Sequence, residues 1–256
     1  MKITFLGTGT SQGVPLIGCS CEVCTSSSPY DNRLRVSVLI EVDGKTLVID
    51  TGPDFRYQML RAKVKHLDGI LITHEHKDHV AGLDDVRAFN YHQKEAMNVY
   101  ANKRVHQTLE REFHYAFGDS KYPGVPLINL TEISNIPFLV DGINVIPIEV
   151  MHYQLPVFGF RINDFTYITD AKTISQAEKE KIKGSEILVV NALQKDKHIS
   201  HFTLDEAIAF AQEIGAPKTY LTHISHRMGK HEDVSKELPE GIELAYDSLV
   251  LNLNDQ

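Results

Sequence analysis

"THEHKDH", residues 73–79, sets four metal-ligating side chains, His74, His76, Asp78 and His79, within six positions. The apolar run Ile70–Ile72 leads directly into it, so the segment leaves the end of a buried strand. In extended chain, residues two apart share a face, which lets His74 and His76 hold one cation. Asp78 and His79 follow at the turn and can serve a second. A polar loop or a surface histidine patch does not account for this density of ligands after a buried strand. Nor is this a helical zinc-protease motif: counting from His74 and Glu75, the fifth position is Asp78, where H-E-x-x-H requires histidine.

On both sides the chain alternates between strands and helices. Apolar and β-branched runs occur at 2–6, 37–42, 46–49, 143–150, 158–162, 165–169, 186–190 and 219–222. Helical patterns are expected over 54–64, 80–93, 103–116, 173–183 and 204–214. The last is the best defined: Thr203 and Glu206 form a capping box, Leu204, Ala207, Ile208, Ala211 and Ile214 make one apolar face, and Gly215 stops it. No linker, charge block or repeat divides the chain, so the expected organisation is one α/β domain over 1–256, with 98–135 its most irregular part. Several apolar strands end in a polar residue: Asp50, His74, Asp170, Asn191 and His223. In α/β architectures ligands collect outside strand ends, which makes these residues candidates for one cleft.

A second cluster lies in "GCSCEVC", residues 18–24, which holds all three cysteines, Cys19, Cys21 and Cys24. The opening "MKITFLGTGTSQG" has too short an apolar patch for a signal peptide, and no run approaches the roughly 20 apolar residues of a membrane span. The expected location is therefore cytoplasmic. In that reducing setting, three clustered thiols favour a metal over a disulfide or redox pair, and a closed zinc site needs a fourth ligand. The charge, 26 basic against 34 acidic residues for a net of -8, provides no global field for nucleic acid or an anionic membrane. Gly7, Gly9 and Gly13 suggest a dinucleotide loop, but Pro15 and a non-helical segment follow, so tight turns near the site are expected instead. Arg33 and Arg35 alternate at a strand start and are candidates to face a phosphate together.

With its H-x-H-x-D-H signature at His74, His76, Asp78 and His79, the chain resembles the metallo-β-lactamase superfamily. The resemblance implies a four-layer αβ/βα sandwich and a two-metal site completed by His152, Asp170 and His223. His74, His76 and His152 would hold one metal, Asp78, His79 and His223 the other, with Asp170 bridging and Asp50 acting behind the ligands. The head "GTGTSQGVPLIGCSCEVC" and the tail "LTHISH" resemble the phosphoribosyl cyclic phosphate phosphodiesterases more narrowly. There, Cys19, Cys21, Cys24 and His226 would hold a structural zinc, attached to the segment that presents His223.

Two divalent catalytic metals, zinc or manganese, less Asp78, Asp170 and a bridging hydroxide, leave a site charge of about +1 that favours a small anionic phosphodiester. The expected reaction is attack by metal-bound hydroxide on a small cyclic phosphate, 5-phosphoribosyl 1,2-cyclic phosphate first. His201 precedes the helix that starts after Thr203, and the resemblance makes it the group that protonates the leaving oxygen or steadies the phosphate. The other histidines, including His198 and His231, are read as structural or surface residues.

Cyclic-nucleotide or RNA 3′-end hydrolysis is the alternative on the same metal core. Nucleic acid is disfavoured, because 98–135 mixes Lys103, Arg104 and Lys121 with Glu110, Glu112 and Asp119 instead of forming a basic arm. Thioester or lactam hydrolysis and a non-catalytic metal scaffold are further alternatives. Intact His76 argues against the diiron redox relatives. A homodimer is implied by resemblance alone.

Overall fold

Period-2 alternation sorts the strand side chains between two apolar layers. The computed structural model describes residues 1–118 and 123–253, so Asp119 and Lys121 lie outside the described residues. Among those described, β1 (Lys2–Gly7), β2 (Ser37–Val42), β3 (Lys45–Ile49), β4 (Gly69–Leu71), β5 (Met97–Ala101) and β6 (Ile128–Glu132) build one sheet. The other contains β7 (Phe138–Val140), β8 (Ile143–His152), β9 (Leu155–Ile162), β10 (Phe165–Tyr167), β11 (Thr173–Ile174), β12 (Ile187–Asn191), β13 (Lys218–Thr222) and β14 (Ile242–Leu244). The last strand, β15 (Val250–Asn252), returns to pair with β1.

The helices are α1 (Phe55–Ala62), α2 (Lys77–Val80), α3 (Arg87–Gln93), α4 (Lys103–Glu112), α5 (His114–Phe117), α6 (Gln176–Ile182), α7 (Leu204–Ile214) and α8 (His231–Ser235). Between the sheets, Phe5, Val38, Ile40, Leu47 and Ile49 meet Val145, Phe160, Phe165 and Val189. On the outer face of the first sheet, Val48, Ile70 and Ile72 pack with Phe55, Met59, Val105 and Leu109. Leu188, Val190 and Leu221 do the same with Ala207, Ala211 and Ile214 beyond the second. Helix, sheet, sheet and helix make the αβ/βα sandwich that the sequence implies.

α7 has the expected bounds, with both halves of its capping box formed and Gly215 left-handed at its end. Elsewhere the helices are shorter. Lys63 turns left-handed at φ 55 and ends α1, and a 3-10 turn at Leu83–Val86 separates α2 from α3. Phe113 separates α4 from α5, and Thr173–Ile174 pair with β8 before Ser175 caps α6. The stretch 98–135 contains β5, α4, α5 and β6, and is more regular than expected.

The pairs β3–β4–β5–β6 and β10–β12–β13–β14 are parallel, which brings the carboxyl ends of strands from each sheet to a common side. Three residues just past such strands adopt left-handed backbone: Asp50 (φ 65), Asp170 (φ 56) and His223 (φ 56). That region costs a non-glycine residue on the order of 1–3 kcal/mol. It turns the chain out of the strand direction where the polar residues begin.

Replacing Thr203 with Ala should remove the α7 cap and cost about 1 kcal/mol. The urea midpoint should fall with an unchanged denaturant slope.

Candidate metal centre

The site is assembled around Asp50, which is fully buried. Its Oδ1 accepts from the Thr73 amide at 2.8 Å, and its Oδ2 accepts from the Thr73 hydroxyl at 2.8 Å and from His79 Nδ1 at 2.7 Å. With its own proton given to Asp50, Thr73 Oγ1 accepts from His74 Nδ1 at 3.0 Å. His152 Nδ1 donates to the Ser200 carbonyl at 2.9 Å. Each bond places the proton on Nδ1 and leaves the Nε2 lone pair free for a ligand.

The freed nitrogens meet carboxylates. His79 Nε2 lies 3.2 Å from Asp78 Oδ2 and 3.3 Å from Asp170 Oδ2. His223 Nε2 lies 3.3 Å from Asp170 Oδ1 and 3.7 Å from Asp78 Oδ2. The His76 ring is 4.6 Å from that of His74 and 5.3 Å from that of His152, and is the more exposed of the group. Asp170 is common to the triads His74–His79–Asp170 and His152–Asp170–His201, while Asp78, His79 and His223 form a third. His201 Nε2 is 2.9 Å from Asp170 Oδ1, and its ring stacks on His223 at 4.9 Å.

This packing leaves an electrostatic problem that a cation resolves. Burial pushes the Asp170 carboxyl up, but His223, His79 and His201 outweigh it and hold it well below the usual carboxylate range. Burial likewise opposes the charged form of His79, yet Asp78, Asp50 and Asp170 raise it well above an ordinary histidine, a demand for positive charge that a cation at Nε2 would meet in place of the second proton. Burial and the His79 charge drive His74 well below an ordinary histidine. Meanwhile His74 Nε2, His79 Nε2 and both ring nitrogens of His223 are buried without a hydrogen-bond partner. Orphaned imidazole nitrogens beside ionised carboxylates are the donor set of a first-row divalent metal, and the residues fit such a group. The backbone is tight here too: a Cβ on Gly52 would collide with the Asp78 carbonyl oxygen, and one on Gly82 with that of Gly52.

The chain is similar to known proteins in sequence and fold. The model of the beta-lactamase superfamily domain matches residues 45–224. A solved diphosphatase from the PhnP family is 39% identical, superposes with a TM-score of 0.92, and is matched over 99% of this chain and 98% of its own. This chain belongs to the metallo-β-lactamase superfamily and, within it, to the PhnP family. It is similar also to ribonuclease Z. The *Staphylococcus epidermidis* ribonuclease Z is 26% identical over 169 residues, 63% of this chain and 49% of that protein. An octanoyltransferase of *Porphyromonas gingivalis* is 42% identical over 252 residues, 97% of this chain and 51% of that protein. The chain thus spans about half the length of these curated relatives. Zinc-bound PqqB from *Methylobacterium extorquens*, 20% identical with a TM-score of 0.80 over 99% of this chain and 100% of its own, shares the fold.

In this PhnP-family chain the second cluster also converges. Cys19 Sγ and Cys21 Sγ lie 3.3 and 3.4 Å from His226 Nδ1, and Cys24 Sγ completes the group. Those spacings suit a tetrahedral zinc, whose ligand atoms lie roughly 3.6 Å apart. The Cys24 amide and His226 lower the Cys21 thiol to about 6. The two clusters are joined, since Gly9 bridges to Ile224 and Arg35, and Ile224 exchanges backbone bonds with Thr8 and Thr10 of the loop. Gly7 and Gly9 serve this close packing: a Cβ on either would strike the 33–35 backbone.

Several expectations need correction. Arg33 and Arg35 do not face a phosphate together. Arg33 is buried, donating to Thr8 Oγ1, the Ala245 carbonyl and His231, and Arg35 pairs with Asp54 at 3.2 Å. Asn191 holds the Ala171 backbone through two bonds instead of joining the ligands. His231, read as structural or surface, packs against Tyr30 and Arg33, whereas His198 stands next to the cluster, its Nδ1 3.1 Å from His201 Nδ1. Only spatial neighbours distinguish these two histidines, and no spacing in the chain could have.

Replacing Asp50 with Asn should keep the volume but lose the acceptor that orients His79. Metal affinity should fall roughly 10- to 100-fold in a chelator competition. An unchanged affinity would remove Asp50 from this role.

Proposed function

We propose that the chain hydrolyses small cyclic phosphodiesters at a two-metal centre, with 5-phosphoribosyl 1,2-cyclic phosphate as the first substrate to test. The observation that carries this reading is the set of buried, unpartnered imidazole nitrogens around Asp78 and Asp170. His74, His76 and His152 would hold one divalent metal and Asp78, His79 and His223 the other, with Asp170 shared. Bound there, the metals would lower the pKa of a water and polarise the phosphoryl oxygens. Zinc and manganese both suit this donor set.

The protein's own groups do the rest. Asp50, Thr73 and the Ser200 carbonyl orient the ligands, and the apolar layers behind them exclude water. Burial depresses His201 to about 4 despite its Asp170 partner, so it stands neutral at pH 7. Its Nε2, 2.9 Å from Asp170 Oδ1, would turn to donate to the leaving oxygen or a phosphoryl oxygen of a bound substrate. Cys19, Cys21, Cys24 and His226 would form a closed zinc site without an open position, holding the 8–33 loop to the segment that presents His223.

A second reading is phosphoanhydride hydrolysis. It is favoured by the 39% identity to a diphosphatase over nearly the whole chain. Phosphorus NMR on metal-loaded protein, offered the ribosyl cyclic phosphate, a 2′,3′-cyclic nucleotide and a dinucleotide diphosphate together, separates these readings. An octanoyl thioester serves as the acyl control. Selective opening of the ribosyl compound is the expected result, and cleavage of the diphosphate alone would replace the first reading with the second.

Two substitutions test the parts. His201→Ala should retain metal and lose on the order of 10²- to 10⁴-fold in turnover. Elemental analysis should find about three metal ions per chain, falling by one in Cys21→Ser.

A further inference from the structure

Ser200 meets two histidines of the site with two different atoms. Its carbonyl oxygen accepts from His152 Nδ1 at 2.9 Å, and its hydroxyl lies 3.0 Å from His201 Nδ1. A carbonyl can only accept, so it keeps the His152 proton on Nδ1. A hydroxyl can give as well as take, and the far end of the His201 ring decides which it does. There His201 Nε2 lies 2.9 Å from Asp170 Oδ1, and an ionised carboxylate offers no proton. In the neutral ring the single proton therefore sits on Nε2, and Nδ1 is left as an acceptor.

Two groups stand within reach of that nitrogen, the Ser200 hydroxyl and His198 Nδ1 at 3.1 Å. The Ser200 amide donates to His198 Nδ1 at 3.4 Å, which makes the His198 nitrogen an acceptor as well. Two bare nitrogens then face each other. The hydroxyl, 3.3 Å from His198 Nδ1 and nearer to His201, is the group that can place a proton between them. Its position is fixed by the base of the loop: the Leu193 amide donates to the Phe202 carbonyl, the Phe202 amide to Ala171, and the Leu204 amide to Gln194.

The consequence reaches the metal cluster. His152, Asp170 and His201 lie close enough together to hold one cation, yet a nitrogen that carries a proton cannot ligate. The two atoms of Ser200 thus free the Nε2 lone pair of His152 and deny that of His201. Where Asp170 turns its oxygens to metal, its hold on His201 is given up, and the Ser200 hydroxyl is the contact that remains.

We infer that Ser200 is a positioning residue whose hydroxyl donates to His201 Nδ1, keeps the ring proton on Nε2, and so holds His201 as a proton donor instead of a metal ligand. The effect on turnover rests on the phosphodiester reading above, whereas the tautomer does not.

The test reads the His201 ring by nitrogen-15 NMR in zinc-loaded wild type, Ser200→Ala and Ser200→Thr, with its signals assigned by their loss in His201→Gln. Wild type should show a protonated Nε2 and a bare, hydrogen-bonded Nδ1. Ser200→Ala keeps the carbonyl that faces His152 but loses the hydroxyl, so the form protonated at Nδ1, able to donate to His198, should gain population. Ser200→Thr keeps a hydroxyl and should restore the wild-type pattern. Metal content, measured in each variant, should be unchanged, which separates a turned ring from a damaged site. With 5-phosphoribosyl 1,2-cyclic phosphate, kcat should fall roughly 3- to 10-fold in Ser200→Ala with KM little changed, and should recover in Ser200→Thr. A wild-type proton on Nδ1, or a tautomer that Ser200→Ala leaves as it was, would overturn the assignment. If wild type opens no cyclic phosphate the phosphodiester reading falls, while the tautomer in the two variants still decides the role of Ser200.

Discussion

The carboxylate of Asp50 holds the rest of the site in place. It is fully buried, and it accepts three hydrogen bonds from Thr73 and His79, the residues that open and close the "THEHKDH" segment. A buried charge of this kind is expensive unless every lone pair is used, so the segment is held where those donors can reach it. The same bonds decide which nitrogen of His79 and, through Thr73, of His74 points into the cluster. Fold and chemistry therefore share one constraint at the exit of β3.

The surrounding backbone adds to the cost of the site. Asp50, Asp170 and His223 all leave their strands in a left-handed conformation that L-residues avoid. Gly52 packs so closely on the Asp78 carbonyl, and Gly82 on that of Gly52, that a methyl group fits on neither. Strain and unpaired buried nitrogens are tolerable where a bound group completes the polar contacts, which is the physical sense of finding them together. The cysteine cluster extends this logic to the N-terminal loop. His226 lies three residues beyond His223, and backbone bonds to Thr8 and Thr10 make the loop an edge of the same assembly.

Much of this was legible in the chain before the fold was known. The αβ/βα sandwich was implied by the family resemblance of the His74–His79 signature, while runs such as "SVLIEV" and "TLVI" marked the strands whose alternate residues divide between the inter-sheet core and the helix layer. The residues of "THEHKDH" and the polar strand ends converge because parallel strands present their carboxyl ends on one side. The breaks at Leu83–Val86 and Phe113 were not legible, since helical periodicity continues through positions where tertiary packing redirects the backbone. The fate of Arg33 was hidden for the same reason: its partners Ala245 and His231 are about two hundred positions away. Asn191 reads as a strand-end ligand by pattern, whereas in space its amide is used by Ala171.

The central claim is that the His/Asp cluster is a two-metal centre and the Cys/His cluster a separate zinc site. Anomalous diffraction from crystals of protein purified without chelator, recorded at the zinc and manganese edges, tests it most directly. The account predicts two adjacent peaks, one among His74, His76 and His152 and one among Asp78, His79 and His223, with Asp170 between them. A third peak, at the zinc edge, should lie among Cys19, Cys21, Cys24 and His226. A Cys/His peak with nothing at the His/Asp cluster would contradict the account.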